Sequence, residues 1–580
     1  MIKIIFYDFE VFKFDWLVVL IDPIKQEEQV IVNNKSELEN YYSKNKSNIW
    51  VGFNSRHYDQ WILKGILAGF NPWDINEWII VKDKPGWAFS SVLRAFPLNN
   101  YDVMSGIDRG LKTFEGFMGN DIKESGVDFS INRKLTGAEI AETVKYCRHD
   151  VEQLMEVFIR RKDDFEAQMG LLKMFNLPLS SISKTKVQVS AEILEASFHE
   201  YNDEFDISFP ETMRIEKYKE VIEWYKNPEN RCYERLEKGK TGKQVLKKTQ
   251  LEIDVAGVPH VFGWGGVHGA REKYFGEGYF INMDVASLYP SLMIRYSLLS
   301  RSCNPEKFKY IVDTRLKYKH EKNPLQAPLK IVINGTYGAS KDRNNPLYDP
   351  RQANNVCVYG QLLLLDLIEH LEPHCEIIQS NTDGVLVKLR KPEDYDLIDD
   401  IAFEWEQRTG LKLEFDEYVK VFQKDVNNYV IVDPDGKYKS KGAYVKKLSD
   451  LDYDLPIVNK ALIDYMVHEI PVEVTISKCN ELKEFQQVKK ISGKYDFIKH
   501  GNRILHEKTV RCFASKRETD GGLSKKHAKT GRFAKMEGTP ERCFLINDDV
   551  NGAACPDYLD KRWYINLAKK RLRDFGFERI

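Results

Sequence analysis

The fold is decided by residues 278–291, which read GYFINMDVASLYPS. The first half of this stretch is apolar and predicts a buried strand that ends at the carboxylate of Asp284. Ser287 and Pro290 follow at positions where a helix can begin. Because a rigid strand holds its last side chain at the rim of a sheet, Asp284 is well placed to bind a metal ion.

A second carboxylate for the same site is predicted in a turn. Residues 376–388 read as a strand, a turn and a second strand, with Asp383 and Gly384 in the turn. Asp-Gly is a favoured pair in hairpin turns, so this segment alone indicates only a hairpin. Taken with Asp284, it predicts a pair of metal-binding carboxylates.

The segment between these two carboxylates predicts a helix with one polar stripe. Lys330, Asn334 and Tyr337 fall at i, i+4 and i+7 and so lie on one helical face. A cation, an amide and an aromatic ring suit a triphosphate, a sugar and a base, and Gly338 would let a flat base pair approach closely. An ordinary helix surface with one exposed lysine also fits the stripe taken alone.

Another set of carboxylates begins near the N-terminus. Asp8 and Glu10 flank Phe9 in an apolar stretch, and strand alternation places both on the same side. Adjacent carboxylates repel each other unless a cation lies between them, and a metal ion supplies that charge. By itself such a pair is more often solvated surface than a functional site.

Two further segments extend this N-terminal set. Tyr146 and Asp150 are four residues apart in a predicted helix and share one face. A metal-bound carboxylate beside a phenol that orients water would serve phosphodiester hydrolysis, although core packing also explains a lone tyrosine. Asp59, in the segment 54–59, adds a fourth carboxylate. The chain therefore predicts two metal sites, one able to cut a phosphodiester bond and one able to make it.

Length and composition indicate how the chain is divided into domains around these sites. A chain of 580 residues is too long for one core, so several domains are expected. Residues 1–165 and 255–435 alternate strands and helices, and the segments 2–8, 16–21 and 29–32 are predicted to be successive strands of one sheet. Residues 166–254 are predicted to be mostly helical and polar and to end in a basic linker at 238–243. The stretch beyond 436 is rich in lysine.

Charge and cysteine usage narrow the classes of protein. The net charge of −1 gives no global sign of a nucleic-acid partner, but residues 501–544 carry a local excess of Lys and Arg. That segment reads either as a solvated surface or as a phosphate-binding one. Nine cysteines without a Cys-x-x-Cys pair argue against a zinc ribbon or a disulfide framework. With no apolar run of membrane-spanning length, a cytoplasmic protein is expected.

In this order, the segments resemble the family B DNA polymerases that carry a 3′–5′ proofreading exonuclease, of a compact bacteriophage-like type. Residues 8–10, 54–59 and 146–150 resemble the three exonuclease motifs, and residues 284–291, 330–338 and 380–385 resemble polymerase motifs A, B and C. Residues 261–268 resemble the glycine-glycine segment that links the two parts, and 439–442 the lysine motif that contacts the primer.

The resemblance implies a multidomain fold of the α/β and α+β classes. A ribonuclease-H-like exonuclease domain is expected at 1–165 and a helical connecting region at 166–254. A right-hand polymerase would follow, with its palm at 255–435, fingers inserted at about 300–345, and a thumb and C-terminal DNA-binding region at 436–580.

The resemblance also implies a role for each matched residue. In the exonuclease, the expected metal ligands are Asp8, Glu10, Asp59 and Asp150, while Tyr146 aligns the attacking water and Asn54 lies near the primer end. In the polymerase, the metal-binding positions are Asp284, Val285 and Asp383, Lys330 contacts the triphosphate, and Tyr289 excludes a 2′-hydroxyl. The remaining substrate contacts implied are Asn334, Tyr337, Gly338, Arg315, Lys319, Lys439, Lys441, Gly265 and Gly266.

Cofactors and partners follow from the same resemblance. Two Mg²⁺ or Mn²⁺ ions are expected in each active site. The expected partners are primer–template DNA, dNTPs and a processivity or replisome protein, with no membrane and a monomeric chain. If the protein is viral, it would act in the host cytoplasm.

Departures from the family pattern keep alternatives open. Asn381 and Gly384 stand where the family usually has Asp and Ser, and Gly263 stands where a tyrosine often precedes the paired glycines. The favoured hypothesis is a polymerase with its own exonuclease. The second is an active exonuclease whose polymerase half is degenerate and only binds DNA, and the third is an inert scaffold.

The spacing of the polymerase segments bears on priming. Residues 291–330 and 338–381 leave little room for the large insertions of protein-primed polymerases. The extra length lies after motif C, where the basic segment 501–544 is expected to form a thumb-like cover on duplex DNA. The sequence therefore predicts extension of an ordinary nucleic-acid primer.

Overall fold

The computed structural model describes residues 3–106, 108–238 and 244–578. It has mixed α and β structure and divides into two compact units. Unit 1 comprises Met1–Thr185, Leu448–Ile457 and Ser477–Tyr564, and unit 2 comprises Lys186–Lys447, Val458–Ile476 and Ile565–Ile580. The four-part division expected from the sequence stays a prediction. No helix in the described part of the chain is both long and apolar enough to cross a membrane.

The N-terminal part of unit 1 is a five-stranded sheet with helices around it. The strand order is β3-β2-β1-β4-β5, with β1 antiparallel to β2 and parallel to β4. The strands are β1 (Ile4–Val11), β2 (Trp16–Asp22), β3 (Glu27–Val32), β4 (Ile49–Gly52) and β5 (Asn100–Asp102). The helices are α1 (Lys35–Asn45), α2 (Asp59–Ala68), α3 (Pro72–Asn76), α4 (Ser91–Ala95), α5 (Leu111–Met118), α6 (Gly137–Arg160) and α7 (Lys162–Met174).

The predicted first three strands are confirmed as neighbours in one sheet, with one correction. Strand β1 continues to Val11, so Asp8 and Glu10 lie inside a central strand and not at its end. The reason is hydrophobic: Phe9 and Val11 join the buried core formed by β1 and β2 together with Trp50 and the residues around it. That core requires the strand to continue past the carboxylates.

Unit 2 is built on a nine-stranded sheet in the order β16-β15-β14-β11-β13-β12-β10-β9-β8. The strands of unit 2 are β6 (Glu234–Lys238), β7 (Gln244–Lys248), β8 (Gln250–Val255), β9 (Val258–Gly263), β10 (His268–Ala270), β11 (Tyr274–Val285), β12 (Cys375–Ser380), β13 (Gly384–Leu389), β14 (Leu413–Asp425), β15 (Asn428–Val432) and β16 (Tyr438–Lys441). Strands β6 and β7 form a separate pair.

The helices of unit 2 include those expected from the sequence. They are α8 (Lys186–Ile193), α9 (Lys219–Lys226), α10 (Leu288–Arg295), α11 (Pro305–His320), α12 (Gln326–Ala339), α13 (Pro350–Leu371), α14 (Tyr395–Thr409), α15 (Pro456–His468) and α16 (Val472–Lys478). The strand–helix stretch β11–α10, the hairpin β12–β13 and the helix α12 are confirmed. Their local patterns are strong because one or both faces of each element are buried.

The helical structure predicted for the 166–254 region is wrong for its end, where the described residues form strands, while the predicted linker is not tested. Strands β6 and β7 pair antiparallel on the two sides of residues 239–243, and most of the predicted linker lies outside the described residues. The flanks 234–238 and 244–248 are short and have no apolar residues at helical spacing, so neither favours a helix. Strand β8 follows at once and joins the nine-stranded sheet.

The C-terminal part of unit 1 contains two small sheets and the first turn of a helix that continues into unit 2 from Ile565. The three-stranded sheet has the order β17-β20-β23 and the four-stranded sheet the order β19-β18-β21-β22. Their elements are β17 (Gln487–Lys490), β18 (Tyr495–His500), β19 (Arg503–Leu505), β20 (Thr509–Ala514), β21 (Leu523–His527), β22 (Phe533–Lys535) and β23 (Cys543–Leu545), followed by α17 (Lys561–Asp574). The basic segment 501–544 therefore belongs to the same unit as the N-terminal sheet.

Arg511 joins these C-terminal sheets to helix α5. Its fully buried guanidinium donates to the carbonyl oxygens of Gly116 (3.1 Å), Asn120 (2.7 Å) and Asp548 (2.7 Å). The last carbonyls of a helix have no partner within the helix, and a cation suits that negative end of the dipole. Burial lowers the pKa of Arg511 to about 10, which still leaves it charged at neutral pH. Strand β20 thereby fixes the C-terminal end of α5.

Candidate active sites

The first candidate site gathers the four predicted carboxylates of unit 1. Strand β1 carries Asp8 and Glu10, α2 begins at Asp59, and α6 carries Asp150. The N–H of Phe9 donates to Oδ1 of Asp59 (3.2 Å), which holds the start of α2 against β1.

Helix α6 is held against the other side of the same strand. The thiol of Cys147 donates to the carbonyl oxygen of Asp8 (3.3 Å), and its Sγ lies 3.6 Å from Oδ2 of Asp8. One ligand atom each from Asp8, Glu10 and Cys147 falls within 4.8 Å of the others. Asp150 lies one helical turn beyond Cys147 and so joins the carboxylates of β1.

Burial and mutual repulsion disfavour the charged forms of these carboxylates. Burial is the largest cause that raises the pKa of Asp8 and Glu10 well above the usual range, and neighbouring carboxylates raise it further. Burial likewise raises the pKa of Asp59 to about 7 and that of Asp150 to about 6. Buried, clustered carboxylates are the oxygen ligands that Mg²⁺ and Mn²⁺ prefer, so a divalent cation fits this donor set.

The sequence did not reveal Lys112, a cation already present beside this cluster. Its ammonium forms ion pairs with Asp150 and, at 3.0 Å, with Glu115, which is fully buried on the same helix. It also lies 4.7 Å from the centre of the Tyr146 ring. The only local signal was a Lys–Glu pair three residues apart, and such pairs are common on ordinary helix surfaces.

Tyr146 and Asn54 complete the predicted exonuclease residues. Tyr146 lies on α6 one turn before Asp150; burial, followed by the charge of Asp150, raises the pKa of its phenol, which stays protonated. Asn54 lies between β4 and α2 with a left-handed backbone (φ 58°), a conformation that asparagine tolerates. Its carbonyl oxygen accepts the N–H of His57 (3.0 Å), which shapes the loop before Asp59.

The second candidate site lies in unit 2, where two strands bring Asp284 and Asp383 together. Asp284 faces Gly384 across β11 and β13, and the N–H of Val285 donates to the carbonyl oxygen of Asp383 (2.7 Å). Burial, then the charge of Asp383, raises the pKa of Asp284 to about 6. As in unit 1, a divalent cation would relieve this repulsion.

Amide side chains hold the Asp284 carboxylate and the turn that carries Asp383. Nδ2 of Asn282 donates to Oδ2 of Asp284 (2.7 Å). Oδ1 of Asn381 accepts the N–H groups of Asp383 (3.1 Å) and Gly384 (3.0 Å). The residue that departs from the family pattern therefore closes the turn itself, and an aspartate at 381 would accept the same two hydrogen bonds.

A cavity of about 280 Å³ adjoins Asp383. The rings of Tyr289 and Tyr337 meet in its wall with centroids 4.3 Å apart, and the Tyr337 hydroxyl lies 2.6 Å from Sγ of Cys357. Helices α10, α11 and α12 supply most of its lining, which includes Tyr289, Arg315, Lys330, Asn334, Tyr337, Thr382 and Asp383. Six predicted site residues thus converge on one cavity.

Lys319 and Gly338 are not among the residues that line this cavity. The ammonium of Lys319 lies 3.7 Å from a carboxylate oxygen of Glu414. A Cβ atom added at Gly338 would have no atom within 4 Å, so nothing approaches this glycine closely in the free protein.

The predicted lysine motif lies on the edge strand β16. Nζ of Lys439 is 2.8 Å from Oδ2 of Asp416, and this pairing raises the pKa of Lys439. Both residues line a smaller cavity of about 110 Å³ together with Asp284. Asp416 is a further acidic residue of this site that the sequence did not reveal. Nζ of Lys441 lies 6.0 Å from the Tyr429 ring.

A buried glutamine organises the predicted glycine-glycine segment. Nε2 of Gln361, on α13, donates to the carbonyl oxygens of Gly263 (2.8 Å) and Gly265 (2.7 Å), and its Oε1 accepts the N–H of Gly263 (3.1 Å). A Cβ atom at Gly266 would overlap the side chain of Thr382. The segment therefore packs directly against the turn that carries Asp383.

Comparison with known proteins gives partial matches. No protein-family model matches the chain. "DNA polymerase 1" of Sulfurisphaera ohwakuensis is 28% identical over 195 residues, which are 33% of this chain and 21% of that protein. "DNA polymerase 1" of Saccharolobus solfataricus is 26% identical over 291 residues (41% and 32%), and that of Sulfolobus acidocaldarius is 33% identical over 126 residues (21% and 14%).

The chain is thus homologous to archaeal DNA polymerases over the aligned segments, and it covers no more than 32% of the length of these three relatives. Among solved structures, the family B DNA polymerase from the hyperthermophilic archaeon Pyrobaculum calidifontis aligns with 100% of this chain and 78% of its own. The sequence identity is 14% and the TM-score is 0.42.

Proposed function

We propose that this protein is a family B DNA polymerase that extends a primer with dNTPs by two-metal-ion phosphoryl transfer and proofreads with a 3′–5′ exonuclease. The observation that carries the proposal is that Asp284 and Asp383 lie together on paired strands. They lie beside the cavity that Lys330, Asn334 and Tyr337 line. Homology to archaeal DNA polymerases over part of the chain supports it.

In the polymerase site, Asp284 and Asp383, with the backbone at Val285, would hold the metal ions. When bound, the ions would stabilise the charge that develops on the transferred phosphoryl group. Lys330 and Arg315 line the cavity as cations and would bind the triphosphate, with Lys330 positioned to protonate the leaving pyrophosphate. Tyr289 and Tyr337 would form the wall against the sugar and the base, together with Asn334.

In the exonuclease site, Asp8, Glu10, Asp59 and Asp150 would hold the metal ions. The Tyr146 phenol keeps its proton and would orient the attacking water by a hydrogen bond. Asn54 would contact the single-stranded primer end. The ion pair of Lys112 with Asp150 would have to adjust when a cation enters, because both cations use the same carboxylate.

The remaining assignments belong to the same proposal. Residues 1–165 would form the exonuclease domain, 255–435 the palm with fingers at about 300–345, and 436–580 the thumb and C-terminal DNA-binding region. Gly265, Gly266, Lys439 and Lys441 would contact the DNA strands. The chain would act as a monomer of the compact bacteriophage-like type, on primer–template DNA.

Primer extension tests the proposal directly. An annealed primer–template with four dNTPs and Mg²⁺ should be extended by the wild-type chain and not by Asp383→Ala, because Asp284 alone cannot hold the ions and the triphosphate. The matched control, Asp399→Ala on helix α14, should extend like the wild type. Both variants should still degrade a labelled single strand. Degradation without any extension by the wild type would favour the alternative, an exonuclease with a degenerate polymerase half.

A further inference from the structure

The four-stranded sheet of unit 1 has one covered face and one open face. Cross-strand pairing places Ile498, Leu505 and Leu523 on the same side, and all three are buried in a core with Met536 and its neighbours. Alternation turns the intervening residues to the opposite side. We call that side the aromatic–lysine face; it consists of Phe497, Lys499, Ile504, Ser524, Lys526, Phe533 and Lys535.

Two aromatic rings mark this face, of which Phe533 is exposed and Phe497 is partly buried. The side chain of Phe533 is 55% exposed and that of Ile504 is 53% exposed. The rings of Phe497 and Phe533 lie with centroids 6.2 Å apart on neighbouring strands. Because the core is complete on the opposite side, these rings contribute little to it and are left open to a ligand.

Cations alternate with the rings. Nζ of Lys526 lies 5.3 Å from the centre of the Phe497 ring, and Nζ of Lys499 lies 5.7 Å from that of Phe533. Lys526 pairs with Asp496 at 3.5 Å and Lys535 pairs with Glu541, while Lys499 has no acidic partner among the described residues. The four strands carry five Lys or Arg residues and a single acidic one.

We propose that the aromatic–lysine face binds single-stranded nucleic acid, with bases stacked on Phe497 and Phe533 and phosphates paired with Lys499 and its neighbours. A sheet that offers aromatic rings between cations suits a single strand, because every base has a face that can stack and every phosphate is negative. In a duplex the bases already stack on each other, so the rings would gain no partner. The inference rests on the proposed function in that a polymerase with an exonuclease handles single strands.

The test measures the anisotropy of a labelled oligothymidylate of about a dozen nucleotides, in EDTA and without dNTPs, so that neither reaction occurs. Phe533→Ala should weaken binding about tenfold, which lies within the range of roughly 5- to 150-fold for the loss of one stacked base. Phe533→Tyr should bind like the wild type, because it keeps a ring. The matched control is Phe403→Ala on helix α14, a phenylalanine that is 58% exposed and should not affect binding.

A second measurement locates the strand. Photo-crosslinking with an oligothymidylate that carries 5-iodouracil should label peptides containing Phe497 or Phe533. Lys499→Gln should reduce the slope of log affinity against log salt by about 0.7, the value for one phosphate contact on a single strand. Unchanged affinity in Phe533→Ala, or crosslinks only elsewhere, would overturn the assignment.

Three further outcomes test the single-strand assignment and separate this inference from the proposed function. If duplex DNA competes as well as the single strand and is equally sensitive to Phe533→Ala, the single-strand assignment is wrong. If the wild type extends a primer but replacing either Phe497 or Phe533 leaves the affinity for oligothymidylate unchanged, only the surface proposal fails. If the face binds as expected and no primer is extended, only the polymerase proposal fails.

Discussion

A side chain at Gly384 would overlap the carboxylate of Asp284, which it faces across strands β11 and β13. The carboxylate can occupy that space because position 384 has no Cβ, and Asn282 fixes it there by a hydrogen bond. The glycine therefore does more than permit a turn. It sets the direction of the side chain proposed to bind metal, Asp284.

We expect Gly384→Ser to slow primer extension by roughly tenfold, or about 1.4 kcal/mol of transition-state stabilisation. The added atoms would turn the Asp284 carboxylate away from Asn282. Steady-state extension rates at several Mg²⁺ concentrations would measure this. The comparison variant is Asn381→Asp, which keeps both hydrogen bonds of the turn and should change the rate only modestly. A large gain of activity in Asn381→Asp would instead show that the natural site is impaired.

The two catalytic activities should separate. Asp8→Ala combined with Glu10→Ala should abolish degradation of a labelled primer and leave extension nearly intact, because these carboxylates lie on β1 of unit 1 and the polymerase carboxylates lie in unit 2. Gel assays with and without dNTPs measure both activities. Loss of extension in a double variant that unfolds at the wild-type temperature would contradict independent sites.

The pH dependence of the unfolding free energy should reflect the raised pKa values of the buried carboxylates of unit 1. Burial raises the pKa of Asp59 to about 7 and that of Asp150 to about 6, above the value of about 4 in an unfolded chain. The folded state then binds protons more tightly than the unfolded state, so stability in EDTA should rise as the pH falls from 8 to 5. Thermal unfolding midpoints measure this rise, and saturating Mg²⁺ should flatten it. An unfolding midpoint that falls as the pH is lowered from 8 to 5, with or without Mg²⁺, would contradict the raised pKa values of these carboxylates.

Tyr289 should act as the sugar gate. Its ring packs against Tyr337 in the wall of the 280 Å³ cavity, so Tyr289→Val would open space for a 2′-hydroxyl. We expect ribonucleotide incorporation to rise relative to deoxyribonucleotide incorporation, measured as the ratio of kcat/KM for the two nucleotides. Tyr296→Val, at the end of α10, is the control for losing a tyrosine. If Tyr289→Val extends with unchanged discrimination, another residue excludes the hydroxyl.

Priming should require an ordinary oligonucleotide. Between the two polymerase carboxylates the structure has the helices α10 to α13 and strand β12, and no additional domain among the described residues of that range. Extension from an annealed oligonucleotide should be efficient, and a linear template without one should give no product. Synthesis that begins only on a protein hydroxyl would overturn this expectation.

The sequence predicted the elements whose patterns are local. Strand β11, hairpin β12–β13 and helix α12 follow from short apolar runs and helical spacing. All three residues of α12 that the spacing places on one face line the cavity. Lys112 and Asp416 could not be found this way, because their importance comes from carboxylates that are distant in the chain. Gly384 looked like a turn residue, since its neighbour across the sheet is invisible in a linear pattern.

The hydrogen bonds between Arg511 and the end of helix α5 have a consequence for folding during translation. The Arg511 guanidinium reaches carbonyl groups that lie nearly four hundred residues earlier, at Gly116 and Asn120. During translation those carbonyl groups emerge long before strand β20, and contacts between such distant residues form slowly. Unit 1 therefore becomes complete only after strand β20 has left the ribosome, so the proposed exonuclease site is finished late in translation even though its own carboxylates lie in the first 150 residues.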